Sequence, residues 1–432
     1  MKRVLFVSYY FPPSGGAGVQ RVLKFVKYLP ALGWQPAVLT VEESADFPAR
    51  DEALFAEVPP EAEIIRTPIF EPYNAYRKLT GRDASQPTDM ASLENHRASA
   101  KERLAEWVRC TFFIPDARCF WKGPAVRAGL RYIRHAKPDV IVSSGPPYTC
   151  HLIGRALHRK TGIPWVADFR DSWVDWVSSP HRWALPRAVD LALEGGVLRD
   201  ADCVLTVSDG VREDLLSRHS QVGDGHFRLL PNGYDAADFD IVATAAPTDR
   251  FTLTYTGSLY GRRNPLTLLD ALDRLLVASP ALKDRLRLRF VGRVDGQFLE
   301  AFRRFPALIE HVPYVTHTES IAYLLNSSAS LLIIDDTPAM RGILTGKLYE
   351  YLGAERPILA LAPEGEAASL IRSLKAGTVA HPDNVEAVAA ALKAMIDAWE
   401  AGTLKGPEGS TVQPFTRQNQ AGQLAGILEH IT

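Results

Sequence analysis

Apolar positions along the chain fall into short unbroken runs separated by amphipathic stretches of helical period. The first run covers residues 4–8 and leads into the loop "YYFPPSGGAG". Apolar positions at helical spacing follow over residues 19–32, Gly33 closes them, and a second run spans 37–41. A strand, a glycine-rich turn, a helix and another strand make a βαβ unit. Residues 140–143, 165–168 and 203–207 are further strand candidates, each running into a loop and a helical stretch, and Ser208 stands where it can cap the helix of "VSDGVREDLL". Strands alternating with helices predict a parallel sheet covered on both faces. The pattern lapses across "PNGYDAADFDIVATAAPTDR", residues 231–250, and restarts with strand candidates at 252–255, 287–291, 331–334 and 358–361. Two α/β halves are therefore predicted, joined near 231–250, with "PFTRQNQAGQLAGILEHI" as a closing helix.

Length agrees with two halves, because 432 residues exceed one ordinary core. The net charge of −1 gives no electrostatic case for nucleic-acid binding. Cys110, Cys119, Cys150 and Cys203 lie far apart, without the spacing of a disulfide framework or a structural zinc, as in a reducing compartment. The apolar run in "MKRVLFVSYYFPP" is too short for a secretory segment and nothing resembles a membrane span, so the expected location is cytoplasmic. Residues 71–137 depart from the even charge, with 13 Lys/Arg against 7 acidic residues and Trp107, Phe112, Phe113, Phe120 and Trp121 interleaved. Two readings stand: a solvated helical face, or a patch for a phosphorylated lipid acceptor or an anionic membrane surface. The second would make the protein peripheral on the inner face of the membrane.

Candidate chemistry collects at strand ends. A dinucleotide reading of the first loop fails, because taking Gly16-x-Gly18 as the start of G-x-G-x-x-G puts Arg21 where the third glycine should allow close packing. Gly15 and Gly16 remain as a flexible loop at a helix N-terminus, suited to an anionic or polar ligand or simply to a turn. In "WVADFRDSWVDW", Asp168, Arg170 and Asp171 stand at the carboxyl end of a strand, where α/β sheets bind ligands, or form an ion pair that orders the loop. In "TYTGSLYGRRNPLTLLDAL" the strand ends at Gly257, and Arg262 and Arg263 precede a helix, an arrangement suited to a diphosphate. "LTGKLYEYLGAERPILAL" starts a helix at Thr345 or Gly346 and sets Lys347 and Glu350 on one face. That separation suits a phosphate on the lysine and the neighbouring ribose on the glutamate. An exposed Lys–Glu pair is the alternative, and it would contribute only about 0.3–0.5 kcal/mol. Asp335 and Asp336 alternate across a strand end without a third ligand, so no metal site is expected there.

These stretches, in this order, resemble family 4 of the GT-B fold glycosyltransferases, the retaining group that uses nucleotide sugars. The resemblance runs over nearly the whole chain through "PPSGGAGVQR", "ADFRDSW", "TVSDGVREDLL", "LLPNGYD", "YTGSLYGRRNPLTLLDAL", "FVGR", "GKLYEYLGAERPIL" and "FTRQNQAGQLAGIL". It implies two Rossmann-like α/β domains facing across a cleft. Residues 1–235 would bind the acceptor and include the 71–137 insertion, residues 236–412 would bind the nucleotide sugar, and residues 413–432 would cross back as a helix. Glu350 matches the second Glu of the family's E-x7-E motif, whereas Gly342 replaces the first, leaving backbone amides near residues 343–345 to substitute. Arg263 and Lys347 correspond to the basic pair on the leaving diphosphate, although Ser258 occupies the place where many relatives carry the first basic residue. Gly257, Arg262, Gly292, Val315, Thr345 and Gly346 complete the implied nucleotide site. The catalytic histidine of many relatives falls near Arg170, so Asp168 or Asp171 is expected to orient the acceptor.

The implied reaction is metal-independent transfer, with no cofactor, from a UDP- or GDP-linked sugar to a glycan, lipid-linked or polysaccharide-precursor acceptor. A GT-B nucleotide-sugar epimerase and a catalytically inactive partner of a polysaccharide assembly system are the alternatives. Intact Arg263, Lys347 and Glu350 argue against the inactive partner.

Overall fold

The computed structural model describes residues 1–70, 100–176, 179–240, 249–261 and 263–432. The chain divides into two compact units, Met1–Pro231 with Arg417–Thr432, and Asn232–Thr416. Each carries one parallel sheet, and the two sheets repeat one topology.

The first unit holds β1 (Lys2–Val7), β2 (Trp34–Val41), β3 (Glu63–Thr67), β4 (Val140–Gly145), β5 (Trp165–Phe169), β6 (Cys203–Thr206) and β7 (Phe227–Leu229). Their order in the sheet is β3-β2-β1-β4-β5-β6-β7. The first helix runs Ala17–Tyr28, tightens into a 3-10 turn over Leu29–Leu32 and stops at Gly33, whose φ of 85° is the left-handed cap its sequence position predicts. Ser208 caps its helix as expected, accepting from the Val211 N–H at 3.2 Å. Val4 and Phe6 face a core that includes Ala421, Leu424 and Leu428 of the C-terminal helix, Arg417–Ile431.

The second unit holds β8 (Phe251–Thr256), β9 (Leu286–Val291), β10 (Ile309–Val312), β11 (Ala329–Ile333), β12 (Ile358–Leu361) and β13 (Gly377–Ala380), ordered β10-β9-β8-β11-β12-β13. Successive residues of β11 and β12 point to opposite faces, so Leu331, Ile333, Leu359 and Leu361 enter one core while Leu332, Ile358 and Ala360 enter another. Burial on both faces explains why these strands read as unbroken apolar runs.

In both units the order reverses beside the first strand, between β1 and β4 and between β8 and β11, which is the doubly-wound Rossmann pattern. At such a switch point the loops leaving the two strands part and open a crevice at their carboxyl ends. The sequence pattern missed β3, β7, β10 and β13. These are short edge or near-edge strands with partly exposed residues, so they lack a continuous apolar run. Pro36 lies inside β2, yet the β2–β3 pairing begins only at Ala37, so the missing N–H leaves no gap on that edge. Among the described residues no helix is long and apolar enough to cross a membrane.

Candidate functional site

The switch point of the second unit gathers most of the residues that the sequence singles out. β8 ends at Thr256, and Gly257 follows with a φ of 99°. A Cβ on Gly257 would lie 2.5 Å from the Lys347 Cε, so only glycine lets the lysine cross this strand end. Gly292, after β9, has a φ of 129° and would place a Cβ 2.5 Å from the Gly257 carbonyl oxygen. The His311 ring donates to the Gly292 carbonyl at 3.0 Å, fixing this second turn. Val315 lies half-buried just before Thr316, which caps the helix His317–Leu325 in a capping box with Glu319.

From the other side of the switch point comes the helix Gly346–Gly353. Thr345 is its cap residue but makes no side-chain cap bond, and its Oγ1 is buried without a hydrogen-bond partner among the described residues. A buried hydroxyl left this way beside unpaired helix N–H groups suits an incoming anion. The Tyr351 hydroxyl accepts from the Thr256 N–H at 3.1 Å and so ties this helix to the end of β8. Of the amides expected to replace the absent first Glu, Ile343 is already engaged: its N–H donates to the Met340 carbonyl at 3.2 Å. Only Leu344 and Thr345 remain for that task. Asp336 is ion-paired with Arg341 at 3.2 Å and with His381 at 3.3 Å.

Lys347 and Glu350 do not form the surface ion pair that was the alternative reading. Lys347 turns to Tyr255, donating from Nζ to the phenol oxygen at 2.7 Å with the ring centroid 4.2 Å away. Tyr255 in turn donates to the Ser258 carbonyl at 2.9 Å. Burial, then the nearby Arg263 guanidinium, push the Lys347 ammonium well below the ordinary lysine range, against the pull of Glu350. Arg263 packs over the Tyr260 ring at 5.4 Å and reaches the Ser258 carbonyl at 3.3 Å. Two cationic side chains therefore share one strand end, and the cost of their proximity appears in the depressed lysine. Glu350 faces elsewhere, with Oε1 4.0 Å from the His317 Nδ1. Tyr255 and His317 escaped the sequence reading. Tyr255 looked like core, which it is at 1% exposure, and nothing near His317 marked it out. Arg262 lies outside the described residues, as do 71–99 of the basic region and 241–248 of the joining segment.

The corresponding loops of the first unit are mostly self-satisfied. Asp168 is 1% exposed; Arg21 grips it through Nε and Nη2 at 2.9–3.2 Å, and Ser144 donates to it at 2.8 Å. Arg21 also donates to the Leu230 and Pro231 carbonyls, at 2.9 and 2.8 Å. The residue that broke the dinucleotide fingerprint is thus the buried partner of Asp168. Of the two carboxylates expected to orient the acceptor, Asp168 has its oxygens engaged inside the core. Arg170 clamps the loop, donating to the carbonyls of Gly18 at 2.7 Å, Gly145 at 3.3 Å and Pro146. Gly15 does not offer its N–H to a ligand, since it donates to the Ala49 carbonyl at 2.9 Å; Gly16 is exposed at the helix cap with a φ of 82°.

Asp171 is the exception. Burial pushes its carboxyl up to about 6, opposed by Arg170 and by a hydrogen bond from Trp176. A folded-state pKa raised above the unfolded value gives stability that is full below about pH 4 and lost as pH rises through about 6. Asp171→Asn should therefore flatten the fall in stability between those two values. Urea midpoints of both proteins at pH 4.5 and 7 would show it, and an unchanged difference would contradict it.

Comparison with known proteins bears on what these loops serve. A profile of the glycosyl transferase 4-like domain matches residues 15–233, and one of the group 1 glycosyl transferases matches residues 250–398. No curated protein sequence matches the chain. Among solved structures, the Thermosynechococcus elongatus sucrose-phosphate synthase superposes with a TM-score of 0.66 at 17% identity, covering 100% of this chain and 99% of that one. Anabaena Alr3699/HepE, solved with UDP-glucose, gives 0.61 at 13% identity, with both chains covered fully. WaaG, a glycosyltransferase of lipopolysaccharide biosynthesis, gives 0.56 at 14% identity over 98% of this chain and 99% of that one. At such identities the likeness concerns the fold.

Proposed function

The chain belongs to the glycosyl transferase 4-like and group 1 families and is a glycosyltransferase of the two-domain GT-B α/β fold, and from that premise we propose a retaining enzyme that draws on a UDP- or GDP-linked sugar. The observation that carries this reading is the divergence of Lys347 and Glu350 on one helix face, the lysine towards Arg263 at the strand end and the glutamate away from it. A diphosphate lies between Arg263, Lys347 and the amides that begin the helix at Gly346, and Glu350 accepts from the ribose diol.

In the transfer, the bond between the sugar's anomeric carbon and the diphosphate oxygen breaks as the acceptor hydroxyl attacks from the same face. The departing oxygen takes the acceptor's proton. Negative charge growing on the diphosphate is what the enzyme must stabilise, and fixed cations in a site shielded from water do this without reorganising. Diphosphate binding raises the depressed Lys347 ammonium back towards the ordinary lysine range, since the anion offsets both burial and the Arg263 charge. No metal ion is assigned a step. Asp171, the raised carboxyl of the other unit, orients the acceptor in place of the absent histidine. The acceptor is a glycan, lipid-linked or polysaccharide-precursor hydroxyl, and the exposed Trp107, Phe112 and Phe120 of the basic stretch offer an aromatic surface for it at the inner face of a membrane, whereas Trp121 is buried in the core.

The test is calorimetric titration of UDP, GDP and ADP into the wild type and Glu350→Ala, at fixed salt. UDP is the first probe because HepE was solved with UDP-glucose. One nucleotide should bind at micromolar strength, and the variant should lose roughly ten- to a hundredfold, the worth of a charged hydrogen bond of about 1.5–3 kcal/mol. Failure of all three to bind would remove the donor site from this helix.

A further inference from the structure

Phe251, Leu253 and Tyr255 alternate along β8 and enter one core. The Tyr255 ring packs with its centroid 6.1 Å from that of Phe290. A phenylalanine would fill this position as well, and a hydroxyl taken into a core costs free energy unless it is hydrogen-bonded. Here the hydroxyl is engaged on both sides. It has one proton to give and two lone pairs to receive. The proton goes to the Ser258 carbonyl at 2.9 Å, so the Lys347 Nζ at 2.7 Å is a donor to it. The same carbonyl accepts from Arg263 Nη1 at 3.3 Å. Phenol and carbonyl thus link two cationic side chains from different elements, one on the helix Gly346–Gly353 and one on the loop after β8.

We propose that Tyr255 is a positioning residue of the transfer site: its hydroxyl seats the Lys347 side chain beside Arg263 at the end of β8, where a diphosphate would meet both. The inference rests on the nucleotide reading of the helix at Gly346 and adds to it a residue that acts through Lys347. Two like charges brought together before the ligand arrives repel one another, and the lysine has lost its water as well. A fixed oxygen offsets part of that cost, because it accepts a stronger hydrogen bond from an ammonium than from a neutral amine. The ring face below Nζ, 4.2 Å away at its centroid, acts in the same sense. The other titratable groups facing this pair are Glu350, which draws the lysine up from its own helix, Tyr351 and Tyr260. Of these, Tyr351 is engaged by the Thr256 N–H at 3.1 Å.

The experiment measures affinity and proton uptake by calorimetry between about pH 6 and pH 9, in the wild type and Tyr255→Phe, with UDP, or with GDP should that be the nucleotide bound. Losing the acceptor favours the neutral amine. The variant should therefore bind almost as the wild type does at the acid end and roughly tenfold more weakly at the alkaline end. Its proton uptake should also begin at a lower pH. Titration of the nucleotide itself is common to both proteins and cancels. A hydroxyl with a merely structural role would lower affinity equally at every pH. In Lys347→Met, adding Tyr255→Phe should weaken binding no further, since the hydroxyl acts through the lysine. Melting temperatures near that of the wild type should show the variants folded. A strongly lowered melting temperature of Tyr255→Phe, a loss independent of pH, undiminished binding, or a further loss in the Lys347→Met background would overturn the role of Tyr255 and leave the nucleotide site standing. Failure of the wild type to bind any nucleoside diphosphate would overturn both.

Discussion

Lys347→Met lowers the turnover number of sugar transfer by about 10²–10³, the usual cost of removing one preorganised donor from a developing negative charge. UDP affinity falls by less, because the charge on the departing diphosphate grows towards the transition state and the lysine stabilises the later species more. Arg263→Met acts in the same direction. The ligand-free structure adds a distinctive signature. Lys347 rests against Tyr255 with its ammonium pushed well below the ordinary lysine range, first by burial and then by Arg263. UDP binding should therefore take up protons, seen as a binding enthalpy that varies with the ionisation enthalpy of the buffer. The uptake should vanish in Lys347→Met. Intact turnover with an identified donor sugar, in either variant, would take these two cations out of the mechanism.

The sequence reading succeeded where a strand or helix is buried on a face that sets its period. β1, β4, β5, β8, β11 and β12 are central strands, and their unbroken apolar runs marked them directly. β3 and β10 lie at the sheet edges with their residues half exposed, so no run exists to be seen. At the proposed donor site, Gly257, Lys347 and Glu350 drew attention in the sequence because a glycine at a strand end and a charged pair at a helix start both demand a reason. Tyr255 was hidden by its own burial, and His317 by lying in a loop-to-helix junction whose neighbours in space, Asp238 and Glu350, are distant in sequence. Arg21 shows the opposite failure. Its position counted against a dinucleotide, which was a sound exclusion, yet its partner 147 residues away cannot be inferred from local spacing.

That partnership makes Asp168→Ala the most destabilising single change expected in the first unit. Both side chains are 1% exposed, and removing the carboxylate leaves a guanidinium charged and buried with two carbonyls to receive it. Breaking one side of a buried ion pair costs about 3–5 kcal/mol, because the remaining charge has lost its partner and does not regain water. The melting temperature should fall on the order of 10 °C. Asp168→Asn keeps the shape and one acceptor, so it should cost less than alanine while still losing the charge. Burial by itself would raise the Asp168 carboxyl, but Arg21, Ser144 and Arg170 hold it below the ordinary aspartate range. A depressed folded-state pKa gives stability that is present above about pH 4 and lost as pH falls further, the reverse of Asp171 three residues on. Acid titration of the melting temperature separates the two. Asp168→Asn should lose stability at neutral pH and converge on the wild type in acid, whereas Asp171→Asn should match the wild type in acid and exceed it near neutrality. If Asp168→Ala melts with the wild type, Arg21 has found another counter-charge, and Asp168 returns to candidacy at the acceptor site.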